Sequence, residues 1–222
     1  MPPVREALSR DRVVAAGVAI ADADGLAAVT MRRVAAELEC EAMSLYHHVP
    51  SKDALLAALA DEATRLVVRE AAAITADSWV DAVRRRCLAA RDVMVRHPWA
   101  PGLIGTQQQT PPSAWALYEQ LVGTLTEAGV DDDLAHRAIH SLGSMVFGFS
   151  TELFEPDGDA APDPDTMSSI AQQMPNLARM AASVVHEVDG ALSVCDTRAE
   201  FEFTLGLVLD GLERERVRRA AR

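Results

Sequence analysis

The chain has 222 residues, with 33 acidic and 21 basic side chains and a formal net charge of -12 at pH 7. This length can bury a core in one large or two small domains, and 49% hydrophobic with 24% charged residues is typical of a soluble globular protein. The charged N-terminus and the lack of a long charge-free apolar run predict neither a signal peptide nor a membrane span. Three scattered cysteines (Cys40, Cys87 and Cys195) predict buried thiols rather than disulfides or a zinc site, so we expect a cytoplasmic protein.

The negative charge lies mainly in the C-terminal three quarters of the chain. Residues 1–60 hold six basic and eight acidic side chains, a balance of -2, whereas the remainder holds 15 and 25, a balance of -10. The net charge alone argues against a nucleic-acid partner. The first quarter is nearly neutral, so it could still bind nucleic acid if its positive side chains point toward the same surface.

The composition favours helices, since alanine and leucine are plentiful and alternating β-branched residues are absent. Ser9 is a candidate N-cap for a first helix that ends at Gly25, and Thr30 is the candidate cap of a second helix that runs to Leu38. The apolar positions expected to face the core are Val14, Val18 and Ala21 in the first helix and Val34, Ala35 and Leu38 in the second.

A three-residue turn, Glu39 to Glu41, precedes a short third helix with the sequence "AMSLYHHV". Pro50 cannot continue this helix, and Ser51 is the candidate cap of a fourth helix that runs from Lys52 to about Ala73. Further helices are predicted over 77–97, 111–129, 131–154, 166–187 (interrupted by a proline) and 197–222. The segment 155–165, rich in Pro, Asp and Gly, is predicted as a disordered loop.

The second and third helices have the spacing of a helix-turn-helix motif, whose second helix enters the major groove of DNA. Hydrogen-bond donors cluster around the third helix, and Lys52, the only lysine of the chain, follows it. The cap at Ser51 also leaves free N–H groups at the start of the fourth helix, where an anion is favoured. The outward residues that could contact DNA are Ala42, Met43, Ser44, Tyr46, His47 and His48.

Residues 9–60 resemble the DNA-binding domain of TetR-type transcriptional regulators, and the rest is similar in its helix lengths to a tetracycline-repressor-like C-terminal domain. The family pattern is T-x-R-x-[LV]-A-x-x-L, a turn, and then [ST]-L-Y-x-H-[VF]-x-[SN]-K-x-x-L-L. The matching residues are Thr30, Arg32, Val34, Ala35, Leu38, Ser44, Leu45, Tyr46, His48, Val49, Ser51, Lys52, Leu55 and Leu56. Glu39 replaces the glycine that is usual in the turn.

The resemblance implies a role for each DNA-facing position. Arg32 would read a base edge, and the phosphate contacts would come from Thr30, Tyr46, His48 and Lys52. The residues implied in the major groove are Ala42, Ser44 and His47, with Met43 beside them. Ala42 and Met43 lack hydrogen-bonding groups, so they would read methyl groups or DNA shape. Leu45 and Val49 would belong to the core.

The predicted fold is all-α, with a helix-turn-helix domain over 1–55 and a ligand-binding and dimerisation domain over 56–222. The resemblance implies a homodimer held by a four-helix interface, although the same apolar stripes are also compatible with the core of one chain. The stripe of the last helix consists of Phe201, Leu205, Val208, Leu209 and Leu212. The stripe of the 131–154 helix consists of Leu134, Ala138, Leu142, Met145, Val146, Phe149 and Leu153.

A ligand cavity is expected in the C-terminal domain. Its candidate lining residues, each of which could instead be plain core, are Trp99, Leu103, Gln107, Trp115, Tyr118, Met145, Phe149 and Met174. The tetracycline–magnesium site of the family is not expected, because Leu103 and Val67 or Val68 stand where its histidines should be. His136 and His140 lie four residues apart, a spacing that permits metal binding, but a surface helix is favoured. No metal and no other cofactor is predicted.

The sequence thus predicts a ligand-responsive repressor that binds a palindromic operator as a homodimer and is released by an unidentified small molecule. No membrane partner is expected. We considered two alternatives, an all-α enzyme that uses the cavity and a helical interaction module without a DNA role. The sequence contains no nucleophile–base pair, phosphate loop or credible metal cluster that would support an enzyme.

Overall fold

The structure is a computed structural model that describes residues 7–149, 169, 171–183, 186–188, 191–193 and 197–221. Helices make up almost all of its regular structure, which confirms the all-α fold. They are α1 (Arg10–Asp24), α2 (Met31–Glu37), α3 (Ala42–Leu45), α4 (Lys52–Ala72), α5 (Trp79–Arg96), α6 (Ala100–Gly105), α7 (Pro112–Glu127), α8 (Asp132–Gly148), α9 (Pro175–Ser183) and α10 (Thr197–Ala220). In the described part of the chain, no helix is both long and apolar enough to cross a membrane.

The chain divides into two compact units. The main unit contains Met1–Thr151 and Val208–Arg222, and the second unit contains Glu152–Leu207. The predicted loop 155–165, together with Leu153 and Cys195, lies outside the described residues.

The second unit contains a short hairpin where the sequence predicted the end of a helix. Strand β1 (His186–Val188) pairs antiparallel with β2 (Ala191–Ser193), with His186 opposite Ser193. The helical prediction to residue 187 was therefore wrong, and α9 ends at Ser183. The sequence carries a signal for the hairpin, because Asp-Gly between two short apolar runs favours a two-residue connection.

The helix starts in the main unit follow the capping residues that the sequence identified. The hydroxyl oxygens of Ser9, Thr30 and Ser51 accept hydrogen bonds from backbone N–H groups three residues later, at 3.3, 3.1 and 3.0 Å. The buried face of α1 differs from the prediction, since Val13 is fully buried and Val18 is only half-buried. The cause is the tertiary packing, which covers a face of α1 rotated from the predicted stripe.

Helix α4 is the centre of the main unit, because it packs against α1, α5, α6 and α7. Its contact with α1 is close: a Cβ atom placed on Gly17 would lie 2.9 Å from Cδ1 of Leu59. Leu55 and Leu59 are both fully buried, so this contact belongs to the core. The glycine thereby allows the two helix backbones to approach each other.

The C-terminal part of α10 is attached to the start of α8. Asp131 caps α8 by accepting a hydrogen bond from the N–H of Leu134 at 3.0 Å, and Nη1 of Arg219 donates to both oxygens of Asp131 at 2.9 and 3.1 Å. The Leu134 N–H and then the guanidinium of Arg219 lower the pKa of this carboxyl. Arg219 also binds Asp133 at 3.0 Å, so one arginine joins the two helix ends.

The two predicted dimerisation stripes are largely covered within one chain. In α10 the buried members are Phe201, Leu205, Leu209 and Leu212, and in α8 they are Leu134, Ala138, Leu142, Met145 and Val146. These buried residues therefore belong to the core of one chain, which was the alternative to a dimer interface. The apolar side chains of α10 that remain exposed include Phe203 at 68% and Leu207 at 57%.

The turn between α2 and α3 contains an unusual backbone conformation. Glu39 has a φ angle of +50°, the left-handed region that favours glycine. The N–H of Cys40 donates to the carbonyl of Ala35 at 3.0 Å, and the N–H of Glu39 donates to that of Ala36 at 3.2 Å. This pattern is a Schellman motif with glutamate at the position where glycine is most common.

We expect Glu39→Gly to raise the free energy of unfolding by about 0.5–1 kcal/mol, because glycine adopts the left-handed conformation without a Cβ penalty. Urea denaturation measures the change. Glu39→Ala retains Cβ and should give no such gain, and Ala36→Gly, at an exposed position inside α2, should lower stability by about 1 kcal/mol. An equal gain from Glu39→Ala would mean that the side chain, not the backbone angle, is responsible.

Candidate nucleic-acid interface and ligand cavity

Helix α3 is held to the core by Leu45 and Val49, which are both buried as the sequence predicted. The helix is shorter than predicted, because it ends at Leu45 rather than continuing to Val49. The N–H groups of His48 and Val49 both donate to the carbonyl of Leu45, at 2.9 and 2.8 Å. The chain therefore leaves α3 in tight turns, which place Tyr46 and His47 on the surface.

None of the residues predicted to contact DNA is buried. Those that are half-buried are Ala42, Ser44 and His48, and those that are exposed are Thr30, Arg32, Met43, Tyr46, His47 and Lys52. Met43 is 73% exposed, so this large apolar side chain takes no part in the core. The candidate interface thus combines two apolar side chains, Ala42 and Met43, with hydrogen-bond donors and two cations.

The cations near α3 differ in their availability. Among the described residues, no carboxylate forms an ion pair with Arg32 or Lys52. Arg33, in contrast, donates to Asp24 at 2.7 Å, although both side chains are about half exposed. Arg32 and Lys52 are therefore the positive groups of this surface that stay available for an external anion.

A cavity of about 450 Å³ lies among α4, α5, α7 and α8 and the segment that joins α6 to α7. Its walls are mostly apolar, with polar side chains at separate points. The polar lining residues are Thr64, Arg86, Gln107, Gln108, Gln109, Thr110, Tyr118, His140 and Ser144. This size and composition are those of a site for a small organic molecule.

The structure brings only some of the predicted ligand residues to this cavity. Gln107 and Tyr118 are among its lining residues, whereas Trp99 and Leu103 line a separate depression beside α1. The predicted residues outside both lining sets are Trp115 (exposed), Met145 (buried), Phe149 (half-buried) and Met174 (exposed, in the second unit). Which of the eight contact a ligand stays a prediction.

Arg86 is a cavity residue that sequence reasoning missed. Its Nη1 donates to the hydroxyl of Thr124 at 2.7 Å, and its Nε is buried without a hydrogen-bond partner. The sequence does carry a signal for its position. Arg86 follows the buried Val83 by three residues and precedes the buried Ala90 by four, so it lies beside the inward face of α5.

The donors around the cavity do not fit a magnesium–tetracycline complex. Val67 lines the wall, Leu103 is buried elsewhere, and His140 supplies the only imidazole among the described lining residues. The Nε2 atoms of His136 and His140 lie 3.3 Å apart on the exposed side of α8. No group of three potential metal ligands occurs among the described residues.

Cys87 contributes to the wall as a neutral thiol. Burial raises its pKa to about 12, because the thiolate would be poorly solvated there. At neutral pH the side chain therefore behaves as a small apolar group, not as a nucleophile.

Asp22 of α1 connects the helix-turn-helix part to the region of the cavity. One carboxylate oxygen, Oδ1, accepts a hydrogen bond from Nε1 of the buried Trp99 at 2.6 Å and lies 2.8 Å from Nδ1 of His97. Trp99 immediately precedes α6, and α6 carries Ile104, which lines the cavity. A movement of α6 would therefore change the contact that Trp99 makes with Asp22 at the C-terminal end of α1.

A helix-turn-helix with an exposed donor cluster, joined to a ligand cavity by a shared helix, defines a DNA-binding regulator controlled by a small molecule. Comparisons with known proteins agree. Residues 13–59 match the family described as "Bacterial regulatory proteins, tetR family", and residues 73–216 match "Tetracyclin repressor-like, C-terminal domain". The chain belongs to the TetR family of transcriptional regulators, which are in general not enzymes.

Three similar proteins illustrate the relationship. The HTH-type transcriptional repressor DrrR1 of Streptomyces coeruleorubidus is 33% identical over 93% of this chain and 77% of its own. A possible TetR family regulator from Streptomyces coelicolor is 29% identical, with a TM-score of 0.73 over 96% of this chain and all of its own. ActR of the same organism, solved with actinorhodin, is 25% identical, with a TM-score of 0.73 over 95% and 99% of the two chains.

We expect Asp22→Ala to lower the free energy of unfolding by about 1–3 kcal/mol, because it leaves the Nε1–H group of Trp99 buried without an acceptor. The matched control is Asp24→Ala on the same helix, which removes only the surface pair with Arg33 and should cost less than about 1 kcal/mol. Urea denaturation compares the two variants. Equal losses would contradict a special role for the Asp22 contact.

Proposed function

We propose that this protein is a homodimeric repressor that binds a palindromic operator in the cytoplasm, where bacterial DNA lies, and leaves it when an effector occupies the cavity. The observation that carries the proposal is the surface around α3, where Leu45 and Val49 fix the helix while its donors face outward. We further propose that residues 1–55 form the DNA-binding domain and residues 56–222 the effector and dimerisation domain.

In this proposal the residues around α3 divide into two groups. Thr30, Tyr46, His48 and Lys52 bind phosphates and set the position of α3 in the major groove. Arg32 contacts a base edge from α2, and the residues of α3 and its following turn that meet the bases are Ala42, Met43, Ser44 and His47. A two-fold dimer doubles every contact, which supports binding by a domain with little net charge.

Helix α4 is the proposed link between the two sites. It begins at Lys52, beside α3, and contributes Thr64 and Val67 to the wall of the cavity. A straight helix of its 21 residues is about 30 Å long, so a tilt at one end displaces the other. An effector that binds more tightly to the tilted state changes the separation of the two α3 helices and weakens DNA binding.

We expect the protein to shift promoter DNA that flanks its own gene, with affinity that falls steeply as salt rises. Lys52→Met should weaken binding and reduce the slope of log K against log salt by about 2 for a dimer, because one phosphate contact is lost in each protomer. Fluorescence anisotropy titrations at several salt concentrations measure both quantities.

Arg69→Met is the control for Lys52→Met, because Arg69 lies on the same helix, 17 residues further along, and pairs with Glu62. It should leave the affinity and the slope unchanged. If the folded dimer does not bind the promoter DNA at low salt, the repressor function is excluded and an interaction module without a DNA role is favoured. Binding insensitive to salt would contradict the phosphate contacts.

We propose that the dimer interface includes the outer face of α10, because Phe203 and Leu207 are exposed one turn apart. The double substitution Phe203→Glu with Leu207→Glu should yield a folded monomer that loses operator affinity, whereas Leu205→Glu should instead unfold the protein, since Leu205 is fully buried. Light scattering after size-exclusion chromatography gives the mass. Ala116→Glu, on the exposed face of α7, is the control, and an unchanged mass of the double variant would exclude this interface.

A further inference from the structure

The charges around the cavity are the opposite of those of the chain as a whole. The protein has 33 acidic and 21 basic residues, yet among the described residues that line the cavity none is Asp or Glu. Arg86 is a permanently charged member of this wall, and the remaining polar members are neutral amides and hydroxyls together with one histidine. A carboxylate-free wall beside a guanidinium repels cations and favours anions.

The hydrogen bonds of Arg86 leave part of its guanidinium available. Its Nη1 donates to the neutral hydroxyl of Thr124, and no carboxylate of the described residues pairs with it. Its Nε–H is buried and has no acceptor. A buried charged donor without a partner is costly, so an anion that binds the cavity side of the same guanidinium would offset part of this cost. Carboxylates bind such a group through two parallel hydrogen bonds.

From these observations we infer that the effector is an amphipathic organic anion, bound without a metal, whose acidic oxygens pair with Arg86 while its apolar body contacts α5, α7 and α8. The inference rests on the proposed use of the cavity for an effector. The apolar part of the cavity wall includes Val83, Ala114 and Leu117, and the neutral thiol of Cys87 adds to it. Arg86 is then a specificity residue, which selects the charge of the ligand.

Two fluorescent probes with the same aromatic framework test the inference. 1-Anilinonaphthalene-8-sulfonate is an anion, and N-phenyl-1-naphthylamine is its neutral counterpart. We expect Arg86→Gln to weaken the sulfonate at least about tenfold and to change the neutral amine by less than about threefold, because only the anion loses a charge-assisted hydrogen bond. Arg85→Gln is the matched control, since Arg85 is exposed, pairs with Asp81 and should alter neither probe.

Circular dichroism checks that each variant is folded. Arg86→Lys retains the positive charge but not the paired hydrogen-bond geometry, so it should weaken the sulfonate less than Arg86→Gln does. A measurement on the unaltered protein is independent of the variants. We expect 1-naphthoate to displace N-phenyl-1-naphthylamine at lower concentration than the neutral 1-naphthamide. An equal loss of both probes in Arg86→Gln, or an amide that displaces as well as the acid, would overturn the inference.

The titrations contain no DNA, so the inference and the proposed function fail separately. A protein that prefers the anionic probe but does not bind its promoter would refute the repressor and leave the charge preference standing. A protein that binds its promoter but shows no dependence on Arg86 would refute the anionic effector alone.

Discussion

Leu59 of α4 packs so closely against α1 that a Cβ atom at Gly17 would lie 2.9 Å from it. The helix-turn-helix part has little core of its own, because α2 and α3 are short and the buried side chains of α3 reduce to Leu45. Its position therefore depends on α1, which packs against α2 and also against α4. Helix α4 also forms part of the cavity wall. A movement of α4 would therefore affect both the helix-turn-helix part and the cavity.

The Asp22 contact adds a second connection to this arrangement. Trp99 and His97 reach the same carboxylate oxygen from the segment between α5 and α6, while α4 meets α1 through apolar packing. The two connections differ in physical character. Packed leucines tolerate small sliding, whereas a short hydrogen bond to a buried indole is directional and is lost over a small displacement. We expect α4 to transmit movement and Asp22 to limit the orientations that α1 can adopt.

The sequence predicted the parts of the structure that local chemistry determines. Ser9, Thr30 and Ser51 begin helices because a hydroxyl satisfies free N–H groups nearby in the chain, and α4 begins at the predicted Lys52. Periodicity also identified Leu205 and Leu209 as buried, but it could not say whether the same chain or a partner covers them. Arg86 was missed for a related reason, since its partner Thr124 is 38 residues away and belongs to another helix. The burial of Val13 likewise depends on tertiary packing, whereas Met43 is exposed as the sequence predicted.

The distribution of charge resolves the apparent conflict between an acidic chain and an anionic partner. Several other arginines pair with carboxylates, as Arg33 does with Asp24 and Arg219 with Asp131. Such pairs contribute little to stability at the surface, but they cancel a positive charge that could otherwise attract ligands. Lys52 near α3 and Arg86 at the cavity have no such partner among the described residues. At short range a local unpaired cation outweighs the net charge, because distant exposed charges are screened over about 10 Å. An acidic surface with a few unpaired cations then suppresses nonspecific binding to nucleic acid while it preserves binding where the geometry provides several contacts together.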